Sequence, residues 1–429
     1  MQLFSTNNPK YIVDLKTAVM QSLAPDKGLY MPENIPVLPP QFYSELDNMT
    51  LPEIGTEVTA ALVGDSIARI DIESIVTQAI NFAAPLVVLD EHIASLELWH
   101  GPSLAFKDFG ARFMAQLMSY FMRGEDRKTT ILVATSGDTG GAVAAGFYQT
   151  PGIEVIILYP SGKVSHLQEK QLTTLGDNIY AVEVDGTFDD CQALVKEAFL
   201  DDTLNEKYNL SSANSINIAR LIPQSFYYFE AYRQIQDKSK NIIFSVPSGN
   251  FGNLTAGLMA KKMGLPIHHF IAATNANDIV PHYLDTGVYI PKPSVATISN
   301  AMDVGSPSNF VRIQNLYDFD HAAISRDIKG YMLSDAATVL AIQDAYDRYG
   351  YITDPHGAIG YQSLKNLKPN EYGIFLETAH PAKFLDTVIE ALNQSIDIPK
   401  ALSAIAHKTK VATKLSTDFE GFKAYMMGR

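Results

Sequence analysis

Short apolar runs recur along the chain, each followed by a turn of small polar residues and then a helical stretch. TTILVA (129–134) precedes TSGDTGGAVAAGFYQ, EVIILY (154–159) precedes a helical stretch ending near Gly176, and IYAVEV (179–184) precedes DGTFDDCQALVKEAF. NIIFSV (241–246), IHHFIAAT (267–274) and YGIFLET (372–378) repeat the arrangement, leading into PSGNFGNLTAGLMAKKMG, NANDIVPHYL and AHPAKFLDTVIEAL. Strand, turn and helix in succession predict α/β architecture with parallel sheets and crossover helices. Near-continuous apolar runs are what strands covered on both faces require. The rhythm is absent at the N-terminal end of the chain. There a helix is predicted from Thr17 to Leu23, and APDKGLYMPENIPVLPP is predicted as an extended loop, because each proline fixes its own φ and biases its predecessor away from helix. The expected division is a small N-terminal region over 1–80, packed on a larger region over 81–429.

Composition narrows the function classes. A chain of 429 residues is too long for one ordinary core. With 46% hydrophobic and 19% charged residues it reads as globular. The formal net charge of −14 argues against a nucleic-acid or anionic-membrane binder, and an anionic ligand would need a local positive pocket against that field. Cys191 is the single cysteine, so no intrachain disulfide or cysteine-based metal cluster can form. It is expected to be a buried small side chain, no metal is expected, and a reduced cytoplasmic compartment fits. No stretch approaches the roughly 18 apolar residues of a membrane span. MQLFSTNNPK lacks the layout of a secretory signal, so a soluble, unprocessed protein is expected.

Three segments carry candidate chemistry. In SGNFGN (248–253), two glycines let backbone approach a ligand, and the helix that follows points free N–H groups at the same place. That suits a phosphate, although a plain tight turn reads the same way. TSGDTGG (135–141) also joins strand to helix, and its hydroxyls and N–H groups could grip a carboxylate or simply cap the helix. In WHGPSLAFKDFG (99–110), Lys107 lies between Phe106 and Phe109, ahead of an apolar helix. A lone lysine is usually a surface residue, but a desolvated one becomes a usable amine nucleophile. Trp99 and His100 are expected to pack rather than react. Together a nucleophilic lysine, a phosphate cradle and a carboxylate grip suit a pyridoxal 5'-phosphate enzyme acting on an amino acid.

At this point the chain resembles the threonine synthase family, fold-type II pyridoxal-phosphate enzymes of the tryptophan synthase β-like class. GPSLAFKDFGARFMAQ, ATSGDTGGAVA, NSINIARL, VPSGNFGNLTAGL, SNAMDVGSPSNF, TDPHGAIGY and ETAHPAKF look like family segments in family order. The likeness covers essentially the whole chain and the bacterial and fungal subgroup. It implies conversion of O-phospho-L-homoserine and water to L-threonine and phosphate, in a cleft between two α/β domains. It implies that Lys107 holds the cofactor as a Schiff base beside Phe106, with Gly249, Asn250, Phe251, Gly252 and Asn253 around the cofactor phosphate. Thr378 matches the position facing the pyridine nitrogen. Ser136 and Thr139 match substrate carboxylate positions, and Ser215, Arg220 and Asn253 match positions around the substrate phosphate. Asp138 stands where many relatives carry an asparagine that contacts the cofactor's 3'-oxygen. A carboxylate there could share a hydrogen bond only if one of the two groups carries a proton.

Other residues are expected to do less. Lys163 reads as solvated, His356 as pocket-lining, capping or packing, and His380 and Lys383 as the start of a helix with Pro381 in its first turn. A monomer is the expected state. The rival readings are a phospho-lyase releasing 2-oxobutanoate from the same substrate, a dehydratase lacking the phosphate site, and a non-catalytic relative of the scaffold.

Overall fold

The computed structural model describes residues 1–125 and 127–429. A small antiparallel sheet, in the order β2-β1-β3, opens the chain: β1 (Gln2–Ser5), β2 (Asn8–Asp14) and β3 (Tyr30–Pro32). The first helix is Leu15–Gln21, two residues earlier at each end than the pattern predicts. Asp14 sets its start by accepting a hydrogen bond from Thr17 N–H. The segment expected to be all loop contributes β3, whose three residues are buried against β1.

Two larger sheets follow, interleaved along the chain. The first has the order β12-β11-β10-β13-β5-β4 and is parallel except for β4 against β5. Its strands are β4 (Leu86–Val88), β5 (Ile93–Glu97), β10 (Asn241–Pro247), β11 (His269–Thr274), β12 (Ile328–Met332) and β13 (Glu371–Glu377). The second has the order β14-β8-β7-β6-β9 and is wholly parallel. It is built from β6 (Thr129–Ala134), β7 (Ile153–Pro160), β8 (Ile179–Val184), β9 (Asn209–Ser212) and β14 (Thr413–Leu415). Every residue of β6 and β13 is buried, as their near-continuous apolar runs predict. The chain leaves the first sheet after β5, builds most of the second, and returns at β10. One continuous apolar core joins the N-terminal residues Leu3, Leu15 and Tyr30 to both sheets.

Arg312 ties these parts together, and nothing in its local sequence announces it. Its side chain is fully buried. The guanidinium donates to Tyr30 O at 2.9 and 3.2 Å, Ser215 O at 3.2 Å, Ile216 O at 2.7 Å and Asn309 Oδ1 at 2.6 Å. One rigid fork thus satisfies three backbone carbonyls from two separate segments, Tyr30 and Ser215–Ile216. Replacing it with methionine keeps the stem but leaves those carbonyls buried and unsatisfied. Arg312→Met is expected to destabilise the fold by about 3 kcal/mol, since each orphaned group costs roughly 1–3 kcal/mol. A urea unfolding curve checks this; an unchanged midpoint would remove Arg312 from that role.

Candidate active site

Three strands of the two large sheets end at one cavity of 1280 Å³. The turns after β6, β10 and β13 supply Ser136 and Thr139, Gly249 to Asn253, and Thr378 to its wall. Phe106, Lys107, Ser215 and Arg220 line it as well, so every site residue expected from the sequence is on the wall except Asp138. Ligand sites beyond the carboxyl ends of parallel strands are the rule for such sheets. The N-terminal region also reaches the cavity, through Thr6, Gln21 and Ser22.

Lys107 is the first residue of the helix Lys107–Phe121. The segment before it is pinned to the end of β13: Phe106 N–H donates to Thr378 O at 2.8 Å, and Ala105 bridges Ala379. Lys107 and Thr378 are therefore held in fixed relation. Among the described residues, the Lys107 amine has no hydrogen-bond or ion-pair partner. Burial pulls its pKa down to about 8; Asp138 opposes that shift, and Lys383 and Arg220 add to it. The amine is thus poised to lose its proton near neutral pH.

The turn after β6 resolves an ambiguity in the sequence. Thr135 Oγ1 accepts from Gly137 N–H at 3.0 Å and Gly140 N–H at 2.8 Å. Thr135 does the capping, which leaves Ser136 and Thr139 to face the cavity. Gly137 has φ 138°, and a Cβ there would lie 2.6 Å from Gln168 Cδ, so only glycine fits. After β10, Phe251 is held at φ 61°, a strained conformation for an aromatic residue. It turns the chain so that the helix Gly252–Lys262 starts at the cavity. A Cβ on Gly249 would lie 2.8 Å from Met302 Cα, so the loop is packed against backbone.

Two buried donors on the wall lack partners: Arg220 Nε and Asn253 Nδ2. Asn253 Oδ1 accepts from Tyr227 Oη at 2.6 Å and Tyr228 Oη at 2.7 Å, which fixes the amide with its N–H groups free. Arg220 is 2% exposed, and its Nη1 donates to Ala213 O. Burial lowers its pKa to about 10, against the pull of Asp108. No carboxylate forms an ion pair with it among the described residues. A buried cation and a free amide beside a helix start call for an anion. The cradle therefore fits a phosphate-bearing cofactor and a phosphate-bearing ligand.

Asp138 lies behind the wall. Lys383 Nζ is 2.7 Å from its Oδ1, and Gln168 Nε2 donates to the same oxygen at 2.9 Å. Burial pushes the Asp138 carboxyl up, but Lys383 and Lys107 outweigh it and hold the group well below the usual carboxylate range. This corrects the expectation for Lys383, which is completely buried and does more than start a helix. His380 does cap that turn, accepting from Ala382 N–H at 3.0 Å. Lys163 is exposed at the cavity mouth. His356 lines the cavity, and Asp354 rather than His356 caps its helix. Ala301 N–H donates to His356 Nε2 at 3.2 Å, so the ring proton is on Nδ1 and donates to Asp354 Oδ1 at 2.6 Å. Beneath Thr378, Glu377 is pushed well above its ordinary pKa by burial and then by Asp354. Its Oε1 accepts from Asp354 N–H at 2.6 Å.

A free lysine at a phosphate cradle, on sheets wound in this order, defines a pyridoxal-phosphate-dependent enzyme of fold type II. The family model for pyridoxal-phosphate dependent enzymes matches residues 91–374, and those for the threonine synthase N terminus and C-terminal part match 2–80 and 357–426. Threonine synthase of Haemophilus influenzae is 48% identical over the full length of both chains. The crystal structure of threonine synthase from Escherichia coli superposes with a TM-score of 0.94 at 43% identity, covering 100% of each chain. The pyridoxal-phosphate-bound threonine synthase of Brucella melitensis gives 0.93 at 33%, covering 100% of this chain and 99% of that one. With relatives this similar over its whole length, the chain belongs to the threonine synthase family.

Proposed function

We propose that the enzyme converts O-phospho-L-homoserine and water to L-threonine and phosphate, with pyridoxal phosphate held on Lys107. The observation that carries this reading is Arg220: a buried guanidinium with an unpartnered Nε, in the same cavity as an unpartnered lysine. A simple dehydratase would have no use for a second anion site.

The roles follow from the wall. The backbone of Gly249 to Asn253 holds the cofactor phosphate, and the Thr378 hydroxyl meets the pyridine nitrogen. Ser136 and Thr139 take the substrate carboxylate. Ser215, Arg220 and Asn253 take the substrate phosphate, where the guanidinium fork matches two oxygens. When bound, the cofactor supplies an electron sink for the carbanion at Cα. Once the substrate amine has taken its place, the freed Lys107 amine is the base that would take the Cα proton and then a Cβ proton as phosphate leaves Cγ, and the group that would return a proton at Cγ. Water would then add at Cβ, with its proton going to the base, and Cα would be reprotonated to give threonine.

In this reading residues 1–80 are an accessory region and 81–429 the catalytic region, with the cleft between its two α/β parts. Arg312, which holds Tyr30 and the Ser215 loop at once, supports that coupling. The enzyme is taken as a cytoplasmic monomer; buried Cys191 and the absence, among the described residues, of a helix able to cross a membrane are compatible with that.

The test is a product assay of the purified holoenzyme with O-phospho-L-homoserine, following threonine, 2-oxobutanoate and phosphate together. Threonine and phosphate in equal amounts are expected. Mainly 2-oxobutanoate would move the enzyme to a phospho-lyase, and no turnover would overturn the assignment.

A further inference from the structure

Behind the cavity wall lies a second buried lysine that the proposed chemistry does not use. Lys383 is wholly buried, and Asp138 is 5% exposed. Besides Asp138 Oδ1 at 2.7 Å, Lys383 Nζ donates to Ser103 O at 2.9 Å. Gln168 also binds Oδ1, while no donor meets Asp138 Oδ2 among the described residues. Asp138 is therefore a carboxylate held at one oxygen, with the other oxygen uncommitted.

The neighbourhood makes that arrangement consequential. Asp138, Lys383 and Arg220 are the charged groups whose fields reach Lys107. Asp108, next along the helix, acts on Arg220 and on the neighbouring side chains of Lys383 and Arg112. Lys107 bonds its cofactor only as a free amine: nitrogen adds to the aldehyde carbon, both amine protons leave with the carbonyl oxygen as water, and a carbon–nitrogen double bond remains. An ammonium has no lone pair for the first step. An unshielded carboxylate beside Lys107 would favour the ammonium.

We propose that Lys383 is a positioning residue for Lys107: by engaging Asp138 in a buried ion pair, it withholds that carboxylate from the Lys107 amine and leaves the amine free to bond the cofactor. The inference rests on Lys107 being the cofactor lysine. It explains why an aspartate is tolerated here. The carboxylate and its own counter-ion form a unit of no net charge, much as a neutral amide would. Breaking such a pair from one side leaves an uncompensated buried charge, whereas replacing both members does not.

The test is the pH dependence of cofactor capture by the full-length chain stripped of pyridoxal phosphate, followed by the visible band of the lysine-bound cofactor. Lys383→Met is expected to move the profile up by roughly one pH unit, because Asp138 then acts on Lys107 undiminished. At a pH below the midpoint, capture would be about tenfold slower. Asp138→Asn leaves the Lys383 ammonium unopposed and is expected to move the profile down. The double variant is expected to return to within about threefold of the wild-type rate. Shifts of opposite sign are a signature that loss of packing cannot produce. Should Lys383→Met fail to fold, Asp138→Asn and the double variant decide the matter by the same criterion. Unshifted profiles, or two shifts in one direction, would overturn the proposal. Borohydride reduction and peptide mapping identify the bonded lysine; a site other than Lys107 would overturn the cofactor assignment itself, a result distinct from unshifted profiles at Lys107.

Discussion

Lys107→Ala is expected to abolish the visible band of the lysine-bound cofactor and to lower kcat by at least ~10³-fold. Two losses combine in that figure. The proposed covalent anchor disappears, and so does an unpartnered amine on the cavity wall whose pKa is drawn down to about 8. The fold should survive, because the side chain lines a cavity and anchors no core cluster. The phosphate cradle is untouched in this variant, so non-covalent cofactor binding should persist. Absorbance and equilibrium dialysis, run together, separate the two. Added methylamine should restore part of the activity, since a small amine can enter the vacated space as the missing base. A variant that keeps its visible band, or turns over within tenfold of the wild type, would remove Lys107 from the chemistry.

How much of this was legible in the sequence depends on where the burial and the partners come from. β6, β7, β8, β10, β11 and β13 stand out because both faces are covered, and the apolar run is then nearly continuous. β12 and β14 did not stand out: each lies at a sheet edge, is largely exposed, and carries charged residues. β5 is buried at the sheet interior, but IASLE is short and mixes polar with apolar positions. The wall residues were readable because each sits in a compact strand–turn–helix segment. The groups that set their chemistry were not. Lys383 meets Asp138, Asp354 meets Glu377, and Arg312 meets Tyr30 only through the tertiary fold. A buried lysine and a solvated one look alike in one dimension. Local sequence encodes the turn that presents a side chain, whereas the field acting on it is a property of the packed molecule.

Arg220 is where that distinction has its largest consequence for the substrate. Arg220→Met is expected to lower kcat/KM for O-phospho-L-homoserine by about 10³-fold. Two charge-assisted hydrogen bonds to phosphate, at roughly 1.5–3 kcal/mol each, give about 4 kcal/mol. Methionine keeps the apolar stem, so packing against Gly110 is preserved; a Cβ on that glycine would lie 2.6 Å from Arg220 Nε, which shows how closely the two fit. The Ala213 carbonyl loses its donor, and thermal melting measures that structural cost separately. Arg220→Lys retains charge without the fork and should fall between the two. The deciding comparison is with cofactor affinity. If Arg220 serves the substrate phosphate and the loop Gly249–Asn253 the cofactor phosphate, pyridoxal phosphate should bind the variant within about threefold of the wild type, while inhibition by inorganic phosphate weakens. Because phosphate is also the leaving group, the same guanidinium meets charge that grows as the bond at Cγ breaks. The loss should therefore appear in kcat as well as KM. A loss confined to KM would make Arg220 a binding contact alone, and a parallel loss of cofactor would assign it to the other phosphate.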